Sequence, residues 1–169
     1  MKGFMKGLSI GILFCSTALS TVIHADEIGS VDTKFNLLSP DDSIKIEVFD
    51  DPSIEGVACY LSRAEKGGYK GAVGIAEDTS DASIECVQVG PIHILEDLDE
   101  EEQVFNERRS LIFKRMRVVR FCDTPRNTIV YLVYSERVVE GSPKNSVSAV
   151  PIAHWAGTDP DEALPVCRY

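Results

Sequence analysis

Polar and apolar residues alternate along much of the chain with the period of a β-strand. In "SIKIEVFD" (43–50) Ile44, Ile46 and Val48 fall on one face, with Lys45 and Glu47 on the other. This predicts a half-buried strand with the aliphatic face inward, ended by Asp50-Asp51-Pro52. "GVACYLSR" (56–63) sends Val57, Cys59 and Leu61 one way and Tyr60 the other, and "SIECVQV" (83–89) separates Ile84 and Cys86 from Glu85. "TIVYLVYSERVV" (128–139) is apolar at nearly every position as far as Tyr134, which predicts a central strand covered on both faces. "VSAVPI" (147–152) predicts a last short strand. "CDTPRNT" (122–128) and "EGSPKNS" (140–146) carry the Asp, Asn, Pro and Gly of turns.

Two stretches break this pattern. "AEKGGYKGAVGIAEDTSDA" (64–82) repeats glycine at Gly68, Gly71 and Gly74, which would line one side of a short helix or helical turn. Each glycine weakens that helix by roughly 1 kcal/mol relative to alanine. "EDLDEEEQVFNE" (96–107) is acidic and "RRSLIFKRMRVVR" (108–120) is basic. Opposite blocks in succession predict two long, partly exposed strands, or one bent strand, whose charges pair on a solvated face. The expected fold is therefore α+β and β-rich: a twisted antiparallel sheet of about six or seven strands with one or two short helices. A β-sandwich or partial barrel is the alternative.

The N-terminus changes the picture of where the chain works. Lys2 and Lys6 precede an apolar run from Leu8 to Leu19, followed by His24-Ala25 and an acidic stretch. That order predicts a secretory signal peptide over 1–25, a single domain over 26–152 and a C-terminal tail over 153–169. Phe14 before Cys15 argues against lipid attachment, and no second apolar run is long enough to span a membrane. The formal charge is −10, and removing two lysines makes it more negative. Nucleic acid and anionic lipid would repel such a surface.

Beyond Cys15, four cysteines remain: Cys59, Cys86, Cys122 and Cys167. An even count in an exported chain predicts disulfides, with three connectivities open. Cys59 and Cys86 fall mid-strand on apolar faces that a compact crossover can bring together. A bridge closing a loop of about 25 residues is worth on the order of 3 kcal/mol. The tail "AHWAGTDPDEALPVCRY" (153–169) has no periodicity and needs an anchor, which points to Cys122–Cys167 as the second bridge.

Candidate chemistry is sparse. Only His93 and His154 remain beyond the leader, and there is no G-x-S-x-G elbow, so no catalytic residue is assigned. Ser142 and Lys144 stand two apart in a Gly-Pro loop, where a turn outweighs a Ser–Lys catalytic pair. Glu77, Asp78 and Asp81 could offer oxygen ligands to Ca²⁺, but Thr79 and Ser80 spoil the alternation of a calcium loop and no glycine follows. A capped turn is the better reading there, and Asp50-Asp51-Pro52 has the same two readings. No metal or cofactor is assigned.

Taken together, "EIGSVDTKF" (27–35), "FDDP" (49–52), "CYLSRAEKGGYKGAVGIAEDTSDASIECVQVGPI" (59–92), "SLIFKRMRVVRFCD" (110–123) and "RNTIVYLVYSERVVEGSPKNSVSAVPI" (126–152) resemble the CreA family of small exported bacterial proteins. The resemblance runs in order from Glu27 to Ile152. It implies a Gram-negative periplasmic setting and supplies no reaction, cofactor or ligand. Cys59 and Cys86 lie inside matching motifs. Cys122 stands where the family has an aromatic, and Cys167 lies past its usual end, which supports their pairing. His93 stands where the family does not have His. The expected function is that of a non-catalytic periplasmic module for a small ligand or an envelope protein. Loops 63–82 and 140–146 would form its recognition surface, with Arg63, Glu77, Asp78, Asp81 and Lys144 as polar contacts. The competing expectation is a metal-assisted envelope hydrolase using the acids of 77–81.

Overall fold

A computed structural model describes residues 24–34, 41–65, 67, 82–108, 115–136 and 144–169. The described residues form eight strands: β1 (Asp26–Lys34), β2 (Asp42–Asp50), β3 (Ile54–Glu65), β4 (Ala82–Ile94), β5 (Glu102–Arg108), β6 (Arg115–Asp123), β7 (Thr128–Glu136) and β8 (Asn145–Pro151). They make two antiparallel sheets, each a meander of four strands in sequence order, β1–β4 and β5–β8. The β-rich expectation holds, but one sheet of about six or seven strands becomes two sheets of four. Among the described residues the one helical piece is a 3₁₀ turn at Thr124–Arg126. The helix expected within 64–82 lies almost wholly outside the described residues.

Both sheets contribute to one core. Phe49, Cys59, Leu61, Ile84 and Cys86 come from the first, and Phe105, Val118, Ile129, Tyr131 and Val150 from the second. The rings of Phe49 and Phe105 stack across the two sheets with centroids 4.7 Å apart. Such a pair is worth about 0.5–1.5 kcal/mol beyond the area it buries. At the other side β4 meets β8 without a backbone ladder between them. The Ser148 hydroxyl accepts from the Cys86 N–H at 2.8 Å and faces the Cys86 carbonyl at 3.4 Å, as its donor. Gln88 Nε2 donates to the carbonyls of Gly90 and Ala153, each at 2.9 Å. Side chains thus close a seam where strand pairing is missing.

The strand faces follow the sequence pattern in β3 and β4 and reverse it in β2. Val57, Cys59, Leu61, Ile84 and Cys86 are buried, while Tyr60 and Glu85 point out. In β2 the core side holds Glu47 and Phe49, and Ile44, Ile46 and Val48 lie on the outer face. Pairing decides this: Phe49 stands opposite Cys59, so it must share the inner face with the disulfide. β7 also departs from expectation. Ile129, Tyr131, Val133 and Ser135 are buried, but the alternate positions are only half-buried. β1 was not expected as a strand; it is an exposed edge with irregular register at Glu27/Gly29 and Asp32/Lys34.

Both expected bridges are present, Cys59–Cys86 and Cys122–Cys167. Cys59 and Cys86 are direct cross-strand partners. The tail is pinned at three further points. The Asn127 side chain accepts from the Cys167 N–H at 2.8 Å and donates to the Pro165 carbonyl at 3.0 Å. The Tyr169 hydroxyl accepts from the Cys122 N–H at 2.7 Å. Asn127 takes the left-handed conformation after the 3₁₀ turn, at φ 46°, which asparagine tolerates better than most residues.

Candidate functional site: a cavity at the hairpin end and a buried charge network

The β1–β2 and β3–β4 hairpins close at one end of the first sheet, where Lys34 faces Asp42 and Arg63 faces Ala82. The start of β8 comes to the same end. A cavity of about 560 Å³ opens there, lined by Ile44, Ser62, Arg63, Ala64, Ala82, Ser83, Lys144, Asn145 and Ser146. Two of the expected contacts, Arg63 and Lys144, are therefore brought together from positions 81 residues apart in sequence. Glu77, Asp78 and Asp81 lie outside the described residues, as does Ser142. The lining combines Ile44, Ala64 and Ala82 with hydroxyls, an amide and two cations, a mixed composition that suits a small polar ligand.

The two cations differ in character. Arg63 is an inward residue of β3, and its Nε and Nη2 grip both oxygens of the buried Glu47 at 2.9 and 2.5 Å. Its Nη1 reaches Glu65 at 3.2 Å. A fork engaged in this way orders the cavity wall and neutralises Glu47. Lys45 extends the ladder, meeting Glu65 at 2.8 Å and Glu27 at 3.0 Å. Hydrogen bonds to Glu65 and Glu27 raise the Lys45 ammonium above its ordinary range. Burial pushes the Glu65 carboxyl up, but Lys45 and Arg63 outweigh it and hold the group below the usual carboxylate value. Lys144 is exposed at the mouth of the cavity.

A second constellation was missed by sequence reasoning. Asp51, read as part of a turn, has a completely buried side chain. Its Oδ1 accepts from Arg120 Nη1 at 2.5 Å and from the Ser53 N–H at 2.9 Å, and its Oδ2 from the Tyr131 hydroxyl at 2.7 Å. Arg120 also donates to Glu102, and Ser53 to Glu96. The expectation that the basic block forms a solvated face fails at Arg120, which is 1 % exposed and lies on the inner face opposite Tyr131. Arg117, by contrast, does pair with Glu136 near the surface, at 2.9 Å. Burial, then the Asp51 charge, push the Tyr131 phenol far above its ordinary value. Tyr131 therefore acts only as a hydrogen-bond donor. Asp51, Arg120 and Tyr131 form the buried centre of this network and order the fold there. The available signal was an arginine at an inward register position of a strand, legible only once β6 was paired.

Both remaining histidines are exposed, His93 on β4 and His154 in the tail. Among the described residues no three His, Cys, Asp or Glu side chains stand close enough to hold a metal. No described helix is long and apolar enough to cross a membrane.

The comparisons with known proteins agree in direction. A family model described as CreA protein matches residues 28–155. Protein CreA of Escherichia coli strain K12 is 54% identical over 141 residues, covering 81% of this chain and 90% of its own length. Protein CreA of Escherichia coli O6:H1 strain CFT073 matches with the same identity and coverage. No solved structure matches significantly.

Proposed function

The chain belongs to the CreA protein family, and from that premise we propose that it is an exported, periplasmic, non-catalytic module that binds a small ligand or an envelope partner at its hairpin end. The cavity that unites Arg63 and Lys144 is the observation that carries this reading. Its ligand is a small polar molecule with an anionic group, facing the exposed Lys144 at the mouth and the hydroxyls of Ser62, Ser83 and Ser146, beside Ile44, Ala64 and Ala82. Arg63 serves as the positioning residue, since Glu47 and Glu65 hold its guanidinium. The basic start and apolar run of the leader support export, and the two disulfides suit an oxidising compartment.

A thermal-shift series with small carboxylates and inorganic phosphate on purified protein tests the site. Wild type should be stabilised by at least one such anion, and Lys144→Ala should lose most of that shift, measured from its own unliganded melting temperature. A shift that persists in Lys144→Ala would remove the cavity from consideration. Fractionation of cells should recover the chain in the periplasm, shortened at or near Ala25.

A further inference from the structure

The outer face of the first sheet carries apolar side chains that are half-buried at Ile46, Val48 and Val87 and exposed at Val31, Ile44 and Tyr60. The registers of β1 to β4 place side chains on it in cross-strand rows. One row is Asp26, Val48, Tyr60 and Glu85; the next towards the hairpin end is Gly29, Ile46, Ser62 and Ser83; the last is Val31, Ile44 and Ala64. On the other side lie Asp50, Ala58 and Val87. Val31, Ile44 and Tyr60 are 67%, 40% and 36% exposed. An ordinary half-exposed sheet places polar residues here, and β2 does the reverse by turning its charges inward to the Arg63 and Lys45 ladder. The apolar face is the other side of that inversion. Contiguous exposed apolar surface with a polar rim marks an interaction site.

Around Val48 and Tyr60 the charges have one sign, and Lys34 pairs with Asp42 only in the row beyond Val31 and Ile44, at the hairpin end. Asp26, Asp50 and Glu85 border Val48 and Tyr60 and are all exposed. No lysine or arginine stands in these rows, and the cations of β2 and β3, Lys45 and Arg63, belong to the opposite face. A second copy meeting this face with the same face would set acid against acid, and an anionic bilayer would be repelled. We propose that the outer face of β1–β4 is a docking surface for a protein segment with an apolar ridge bordered by lysine or arginine, its cations meeting Asp50 and Glu85 beside Val48 and Tyr60. This rests on the reading of the chain as a binding module. It does not rest on the cavity ligand, although Ile44, Ser62, Ala64 and Ser83 belong both to this face and to the cavity lining.

The test uses a labelled helical peptide whose leucine stripe is bordered by lysines, and a counterpart with glutamates in place of the lysines. Fluorescence anisotropy with the purified protein should show the lysine peptide binding at least tenfold tighter. Its amide-shift footprint should centre on Ile46, Val48 and Tyr60. Glu85→Lys, at an exposed position, should weaken binding at least fivefold, whereas Val147→Lys on the second sheet should leave it within twofold. Equal binding of the two peptides, a footprint elsewhere or no effect of Glu85→Lys would overturn the proposal. So would concentration-dependent dimerisation through Val48 and Tyr60, or binding to anionic vesicles through them. Neither substitution touches a cavity residue, so failure here leaves the small-anion reading intact, and failure of that reading leaves this one standing.

Discussion

Replacing Arg120 with methionine should destabilise the protein by about 3–5 kcal/mol, because it strands a buried carboxylate. The Asp51 side chain is 0% exposed and Arg120 is 1% exposed, so water cannot replace the lost guanidinium. Asp51 would keep the Ser53 N–H and the Tyr131 hydroxyl, but no compensating charge. Glu102, the other partner of Arg120, is 28% exposed at its side chain and can return to solvent at little cost. Methionine has a similar length and no charge, so packing loss is a minor part of the effect. Tyr131→Phe provides the scale: it removes one hydrogen bond to a charged acceptor and should cost about 1.5–3 kcal/mol. Asp51→Asn combined with Arg120→Met should be less destabilising than the sum of the two single changes, since the stranded charge is gone. Urea unfolding followed by circular dichroism measures wild type and the four variants, Asp51→Asn alone included. An Arg120→Met loss below about 1 kcal/mol, or strict additivity in the double variant, would refute the claim that a buried ion pair organises this end of the fold.

Three further outcomes are expected. Ser148→Val should cost about 1–3 kcal/mol in the same assay, because the buried Cys86 N–H loses its acceptor at the β4–β8 seam. Gly56→Ala should cost more than about 1 kcal/mol and lower the thermal midpoint, since Gly56 sits at φ 84° and an added Cβ would lie 2.2 Å from the Pro91 carbonyl oxygen. The Lys45–Glu65 pair gives a small acid limb. The Glu65 carboxyl is held below its ordinary value of 4.5, so its stabilisation is full above that pH and is lost as pH falls through the folded value. The Glu65 side chain is 44% exposed, so the loss is well under 1 kcal/mol, and Glu65→Gln should flatten the limb in melts run from neutral to acid pH.

Local pattern read β3, β4, the 122–128 turn and the last strand correctly, because each has clear alternation or turn chemistry over a short span. It misassigned β2. Three aliphatics against two charges look like a core face, and alternation alone cannot say which face meets the second sheet. Pairing settled it, through Phe49 opposite Cys59 and Glu47 reaching Arg63. β1 escaped notice because "DEIGSVDTK" carries too few apolar residues to alternate, as suits an edge strand guarded by charge and irregular register. Of the expected ligand contacts, Arg63 and Lys144 do meet at one cavity, though Arg63 is more wall than contact.

The sequence by itself determined that the chain is β-rich, acidic and cross-linked, and where its turns and cysteines fall. These are properties of spacing and composition, which persist in any arrangement of the strands. The tertiary structure alone decided that there are two sheets, which face of β2 is inward, that Asp51 and Arg120 form a buried pair, and that Lys144 joins Arg63. Each depends on residues distant in sequence sharing a face. A charged residue is stable inside only when its partner arrives with it, and no local pattern records which partner that will be.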